Sequence, residues 1–195
     1  WESMTYDEFL NERRKLMAIV TRDGFKKLEK GEVVDEKPST IEQMVVQGEG
    51  IYTEFKSTLR VNLHTGERDK RMEHAVLKTI SGFLNSKEGG HLVIGVSDNG
   101  SVLGLNNDGF DNEDKMDLHL GNLIKTQLGA PSMLHIKPKF HDFNDERIFI
   151  VDCKPSKVPI YLKNGNDEEF YIRAGGSSAK LTPSQMTDYI KQRFN

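Results

Sequence analysis

Residues His91 to Val96 form a nearly unbroken apolar run, fenced by Gly89-Gly90 on one side and Asp98-Asn99-Gly100 on the other. That is strand length rather than helix length, and the absence of polar alternation predicts a buried central strand. Asp98-Asn99-Gly100 is a tight-turn signal, which sends the chain into a partner strand over Val102 to Leu105. Upstream, Arg71 to Asn85 places Met72, Ala75, Val76, Ile80, Phe83 and Leu84 on one helical stripe, a face built to pack on a sheet.

The flanking segments follow the same logic. Ile51, Thr53, Phe55 and Ser57 alternate with Tyr52, Glu54 and Lys56, so Gly50 to Ser57 reads as a strand with Glu54 and Lys56 on one face. A helix is predicted from about Asn112 to Leu128, stopped by Pro131. Strands follow at Leu134 to Phe143 and Arg147 to Lys154, then Ile160 to Lys163 paired with Glu169 to Arg173. Thr182-Pro183 with Gln185 opens a terminal helix through a capping box with a first-turn proline. Ser39 and Glu42 offer a similar box before a short helix through Val46, and Thr5 to about Lys30 carries helical periodicity. The expectation is an α/β (α+β) fold with a mixed, mostly antiparallel sheet flanked by helices. Residues 1–38 form a helical extension and linker, and residues 39–195 the main domain.

Composition narrows the function classes. One cysteine, Cys153, in 195 residues excludes an internal disulfide framework and a cysteine-based zinc cage, which points to a reducing, cytoplasmic setting. No apolar run approaches the roughly 20 residues that span a bilayer, so no membrane partner is expected. With 27 Lys+Arg against 30 Asp+Glu the net charge is −3, and a polyanion has to be met by a local patch. The first residue is Trp1, from which further domains in a longer protein are expected.

Three constellations carry chemistry. Glu49 and Glu54, with Asp98 arriving from the turn after the central strand, are oxygen ligands of the kind magnesium or manganese takes, and Lys56 would stabilise developing charge. On spacing alone the same residues serve as a loop acid, a solvent-facing strand acid and a turn former. Gly175-Gly176-Ser177-Ser178 after Arg173 suits a phosphate cradle or simply a turn, and no Walker or dinucleotide fingerprint is present. Arg60, Arg68, Lys70 and Arg71, joined by Lys154, Arg173 and Lys180, are candidates for backbone contacts to nucleic acid or for a solvated mixed-charge surface.

The ordered series Gly48-Glu49-Gly50-Ile51-Tyr52-Thr53-Glu54-Phe55-Lys56-Ser57, Ile80-Ser81-Gly82-Phe83-Leu84-Asn85-Ser86, Gly89 to Gly100 and Val102-Leu103-Gly104-Leu105 resembles the Schlafen AlbA_2 family. Lys154-Pro155-Ser156, Pro159 to Leu162 and Phe170 to Ser178 continue the likeness, which covers residues 40 to 195. The resemblance implies a nucleic-acid-binding module for RNA or DNA. In animal Schlafen proteins the related core cleaves transfer and ribosomal RNA with three carboxylates and manganese or magnesium, and those positions fall on Glu49, Glu54 and Asp98. Bacterial members are also described as DNA-binding regulators, helicase-related or ATP-binding proteins. The animal core has two lobes and a Cys/His zinc site. This chain has one lobe, which either pairs with a second copy as a homodimer or binds alone.

Overall fold

A computed structural model describes residues 37–194, and the expected helical extension at the N-terminus lies outside them. The elements are α1 (Ile41–Gln47), β1 (Thr53–Lys56), β2 (Val61–Asn62), β3 (Glu67–Arg68), α2 (Lys70–Asn85), β4 (Gly90–Ile94), α3 (Glu113–Ile124), β5 (Ile136–Phe143), β6 (Glu146–Cys153), β7 (Leu162–Asn164), β8 (Asp167–Glu169), β9 (Tyr171–Ala174), β10 (Ser177–Lys180) and α4 (Pro183–Arg193). Four strands make the main sheet in the order β1-β4-β6-β5, and three two-stranded ribbons pair β2 with β3, β7 with β8 and β9 with β10. Among the described strands only β1 and β4 run parallel, joined through the β2-β3 ribbon and α2. The fold is α+β, as expected.

The apolar run is the second strand of the sheet and is covered on both faces. Val93 packs with Phe55, Ile148 and Ile150 beneath Ile41 and Met44 of α1. Leu92 and Ile94 pack with Phe149 and Val151 beneath Ile80, Phe83 and Leu84 of α2 and Met116 and Leu120 of α3. The C-terminal half of α2 is buried on every side, because the β9-β10 ribbon covers the flank that the main sheet does not. Close approach sets the register there: a Cβ at Gly90 would run into the Phe83 ring.

Several boundaries differ from expectation for identifiable reasons. The first capping box is Thr40 with Gln43, one residue beyond the predicted Ser39 and Glu42, since the Gln43 amide collects both Ser39 and Thr40. The strand expected over Val102 to Leu105 reduces to a single bridge, Val96 to Val102. Helix α3 ends at Ile124 and widens, where the Thr126 hydroxyl takes the Asn122 and Leu123 carbonyls. Of the pairing expected between Ile160 to Lys163 and Glu169 to Arg173, only its near end is found, with Leu162 opposite Glu169 in the β7-β8 ribbon; Tyr171 to Arg173 pair with β10 instead. Strands β5 and β6 turn through Asn144 and Asp145, both left-handed, the geometry whose twist suits a two-residue hairpin.

Two buried polar side chains to which the sequence reading gave no role organise the loops. Asn85, fully buried, donates to the Ile160 and Tyr171 carbonyls at 2.8 Å and accepts from the Ile160 amide at 2.9 Å. Asp108, 1 % exposed, accepts from the amides of Leu59, Arg60 and Val61 at 2.7, 2.8 and 3.3 Å, and so clasps the chain entering β2. Asp108→Asn turns one acceptor into a donor facing those amides. It should cost about 2 kcal/mol, or about 6 °C in melting temperature by calorimetry; an unchanged melt would show that the clasp contributes nothing.

Candidate nucleic-acid interface

On β1, Glu54 and Lys56 do share a face, with the Lys56 ammonium 2.7 Å from Glu54 Oε1. The other carboxylate oxygen of Glu54 meets Arg173 Nη1 at 2.6 Å. Arg173 comes from β9, and its side chain is 1 % exposed. It also donates to the Thr53 carbonyl at 2.9 Å and to that of Gly50, and lies 4.9 Å from the centre of the Phe83 ring. Burial acts to raise the Glu54 carboxyl, but Lys56 and Arg173 outweigh it and hold the group below its usual range, so it stays ionised.

Glu49 works on the same strand. Its Oε1 accepts the Phe55 amide at 2.9 Å, while the Lys56 ammonium donates to the Phe55 carbonyl at 2.7 Å. Thr53 and Phe55 turn their backbone groups away from β4, so these contacts occupy the outward side of an edge strand. Asp98 is exposed in its turn. Among the described residues no three His, Cys, Asp or Glu side chains gather where they could hold an ion. As arranged, Glu49, Glu54 and Asp98 do not fit the three-carboxylate site, because Glu54 has both oxygens committed to cations and Glu49 is committed to the backbone.

The phosphate cradle expected at Gly175, Gly176, Ser177 and Ser178 is the turn of the β9-β10 hairpin. Gly175 sits at φ +60°, Ala174 pairs with Ser177, and the Ser178 hydroxyl is buried without a partner among the described residues, facing Gly82. Arg173, the cation that would have served the cradle, points to Glu54 instead.

The basic candidates divide. Arg173 is structural, Lys180 pairs with Glu169 at 2.8 Å, and the Arg71 fork grips Asp69, which caps α2. Lys154 is exposed beyond the end of β6 and lines neither of the clefts described next. Arg68 and Lys70 are exposed, and around them lie two adjoining clefts. One, of about 280 Å³, is walled by Arg60, Arg68, Phe110, Lys115 and Leu118, with His119 and the carboxylate of Asp111. The other, of about 410 Å³, is walled by Lys70, Arg71, His74, Leu77, Leu123 and Lys163, with Glu73 between them. They meet where Glu73 on α2 bonds His119 on α3, 2.7 Å apart. Arg60, Arg68, Lys70, Lys115 and Lys163 face these clefts with no carboxylate partner among the described residues. Five cations without an ion-pair partner, against Asp111 and Glu73 in the same walls, make a local positive excess in a chain of net charge −3.

Of those five, Lys115 was not distinguishable in the sequence from other helix-surface lysines, and Lys163 stood out only as one of many basic residues in the sheet half. Phe110 carried one faint signal, an aromatic after Asp108-Gly109 and just before a helix cap.

The Schlafen AlbA_2 family profile matches residues 49–182, more than half of the chain. The chain belongs to the Schlafen AlbA_2 family. Among solved structures, the DIP2311 protein of Corynebacterium diphtheriae shares this fold with a TM-score of 0.52 at 15% identity, over 88% of this chain and 32% of that one. The Schlafen AlbA_2 chain thus spans about a third of that protein's length. The N-terminal domain of an ATP-dependent DNA helicase RecG-related protein from Nitrosomonas europaea aligns at 21% identity and a TM-score of 0.41, over 67% of this chain and 82% of that one. No match is found among the curated proteins. No helix among the described residues is long and apolar enough to cross a membrane.

Proposed function

We propose that this Schlafen AlbA_2 chain is a nucleic-acid-binding module that takes the sugar-phosphate backbone of RNA or DNA along the two clefts beside the first turn of α2. The carrying observation is the gathering of Arg60, Arg68, Lys70, Lys115 and Lys163 on one surface without carboxylate partners among the described residues. Family membership supports the same class of partner. Contacts of this kind position a strand without reading its sequence. Their signature is an affinity that falls linearly with the logarithm of salt, because each neutralised phosphate releases a counterion. Anisotropy with a short labelled oligonucleotide should lose at least a hundredfold in affinity between roughly 50 and 200 mM salt. Binding that ignores salt would sink the reading.

A second reading is hydrolysis with magnesium or manganese at Glu49, Glu54 and Asp98. One observation favours it: burial raises the Glu49 carboxyl against the Phe55 amide and Lys56, and the charges of Glu54 and Asp98 push the same way, so Glu49 lies in the field of both other acids. It requires Glu54 to leave Lys56 and Arg173. Manganese titration against thermal stability separates the readings, since a ligand of the folded state must raise it. With Glu54 paired as described, the expected result is no shift. A rise in the wild type that is lost in the exposed-site variant Asp98→Asn would establish the ion site instead.

A further inference from the structure

The smaller cleft contains more than surface lysines. Arg60 is only 7 % exposed, yet its guanidinium makes no ion pair among the described residues, although Asp111 lines the same cleft. Its Nε donates to the Asp108 carbonyl at 2.9 Å and its Nη2 to the Gly109 carbonyl at 2.8 Å, leaving Nη1 without a hydrogen-bond partner among the described residues. Phe110 lies flat beneath it, the guanidinium carbon 3.4 Å from the ring centre. The charge is therefore fixed in place by two backbone carbonyls, an aromatic ring and the Asp108 clasp, with one donor pair to spare at the cleft wall. Arg68 and Lys115 add flexible cations at the rim, and Leu118, an exposed apolar side chain, adds a patch beside Phe110.

A backbone track needs none of this. A run of phosphates is served by exposed, mobile lysines, whereas a preset arginine beside an aromatic and an aliphatic wall matches a unit that carries an anion and a flat ring together. The volume, about 280 Å³, lies just below the roughly 300 Å³ at which small-molecule pockets begin, which suits one such unit and not several. We infer that this cleft is a single-nucleotide subsite, taking one unstacked nucleotide with its phosphate on Arg60, Arg68 and Lys115 and its base against the Phe110 side. The inference rests on the nucleic-acid reading and names what that surface selects: a strand with an unpaired end or bulge over a continuous duplex. A free nucleoside monophosphate offers the same chemistry, and the test separates the two sources.

The test measures affinities of the 195-residue chain for a blunt duplex, for the same duplex carrying an unpaired tail, and for adenosine monophosphate alone. The tail should improve binding by about tenfold, the usual worth of one base stacked in such a site. Phe110→Ala should remove that gain, read as the ratio of tailed to blunt affinity. Phe110 is half-buried, so Lys115→Glu, on the exposed face of α3, serves as a second variant with no packing role and should shrink the same gain. Equal affinity for tailed and blunt duplexes overturns the subsite but leaves backbone binding standing. Failure of both duplexes to bind overturns the nucleic-acid reading and the subsite with it. Monophosphate binding that Phe110→Ala abolishes, with no gain from a tail, overturns the strand as the source and assigns the cleft to a free nucleotide.

Discussion

Arg173→Ala is expected to lower the stability of the domain by about 4 kcal/mol, a drop of about 12 °C in melting temperature. The reason is asymmetric. A buried ion pair adds little when intact, but removing one partner leaves the other charged and dry. Glu54 would keep Lys56 and lose the fork that neutralises its second oxygen, and the carbonyls of Thr53 and Gly50 would lose their donor. Arg173→Lys should recover only part of the loss, because an ammonium cannot reach a carboxylate and two carbonyls as a planar fork does. Thermal denaturation followed by circular dichroism measures both variants. A melt within about 2 °C of wild type for Arg173→Ala would mean that the contact between β9 and β1 is incidental.

The largest binding effect belongs to a charge reversal across both clefts. Arg68→Glu, Lys115→Glu and Lys163→Glu together exchange three attractive contacts for repulsive ones at positions with no role in the core. Affinity for an oligonucleotide at low salt should fall by about a thousandfold, and the slope of log affinity against log salt should lose roughly three units. The melting temperature should hardly move, because isolated surface charges contribute little to folding. Retained affinity with an unchanged slope would place the interface elsewhere, with exposed Lys154 the first position to try.

How much of this could be read from the chain depends on how local each cause is. The stripe on α2, the buried run of β4 and the Thr182 cap rest on periodicity or on neighbours within four residues, and each is found where it was expected. Pairing partners are another matter. The short runs after residue 160 are compatible with several ribbons, and the choice among them is made by Asn85 holding Ile160 and Tyr171 from the far side of the domain. The same limit governs the site. Residue types put acids on and before β1 and bases after it, but whether a charge is free or spent is a tertiary property. Glu54 is neutralised by a residue 119 positions away, and Arg60 is immobilised through an aspartate 48 positions away. Of the three acids offered as a cation site, Glu54 is spent on Lys56 and Arg173, Glu49 has one oxygen on the Phe55 amide, and Asp98 is exposed in its turn. The lysines that complete the clefts were indistinguishable from any others on a helix or ribbon surface.

The occupied rim of β1 has a consequence for self-association. The Phe55 amide is taken by Glu49, its carbonyl by Lys56 and the Thr53 carbonyl by Arg173 and the Gly50 amide, so little hydrogen-bonding capacity remains there for a foreign segment to zip onto. Runaway polymerisation along that border is thereby discouraged, and copies of this chain that come together through the main sheet must do so at the opposite border, where Lys137, Pro138 and Lys139 stand guard on β5.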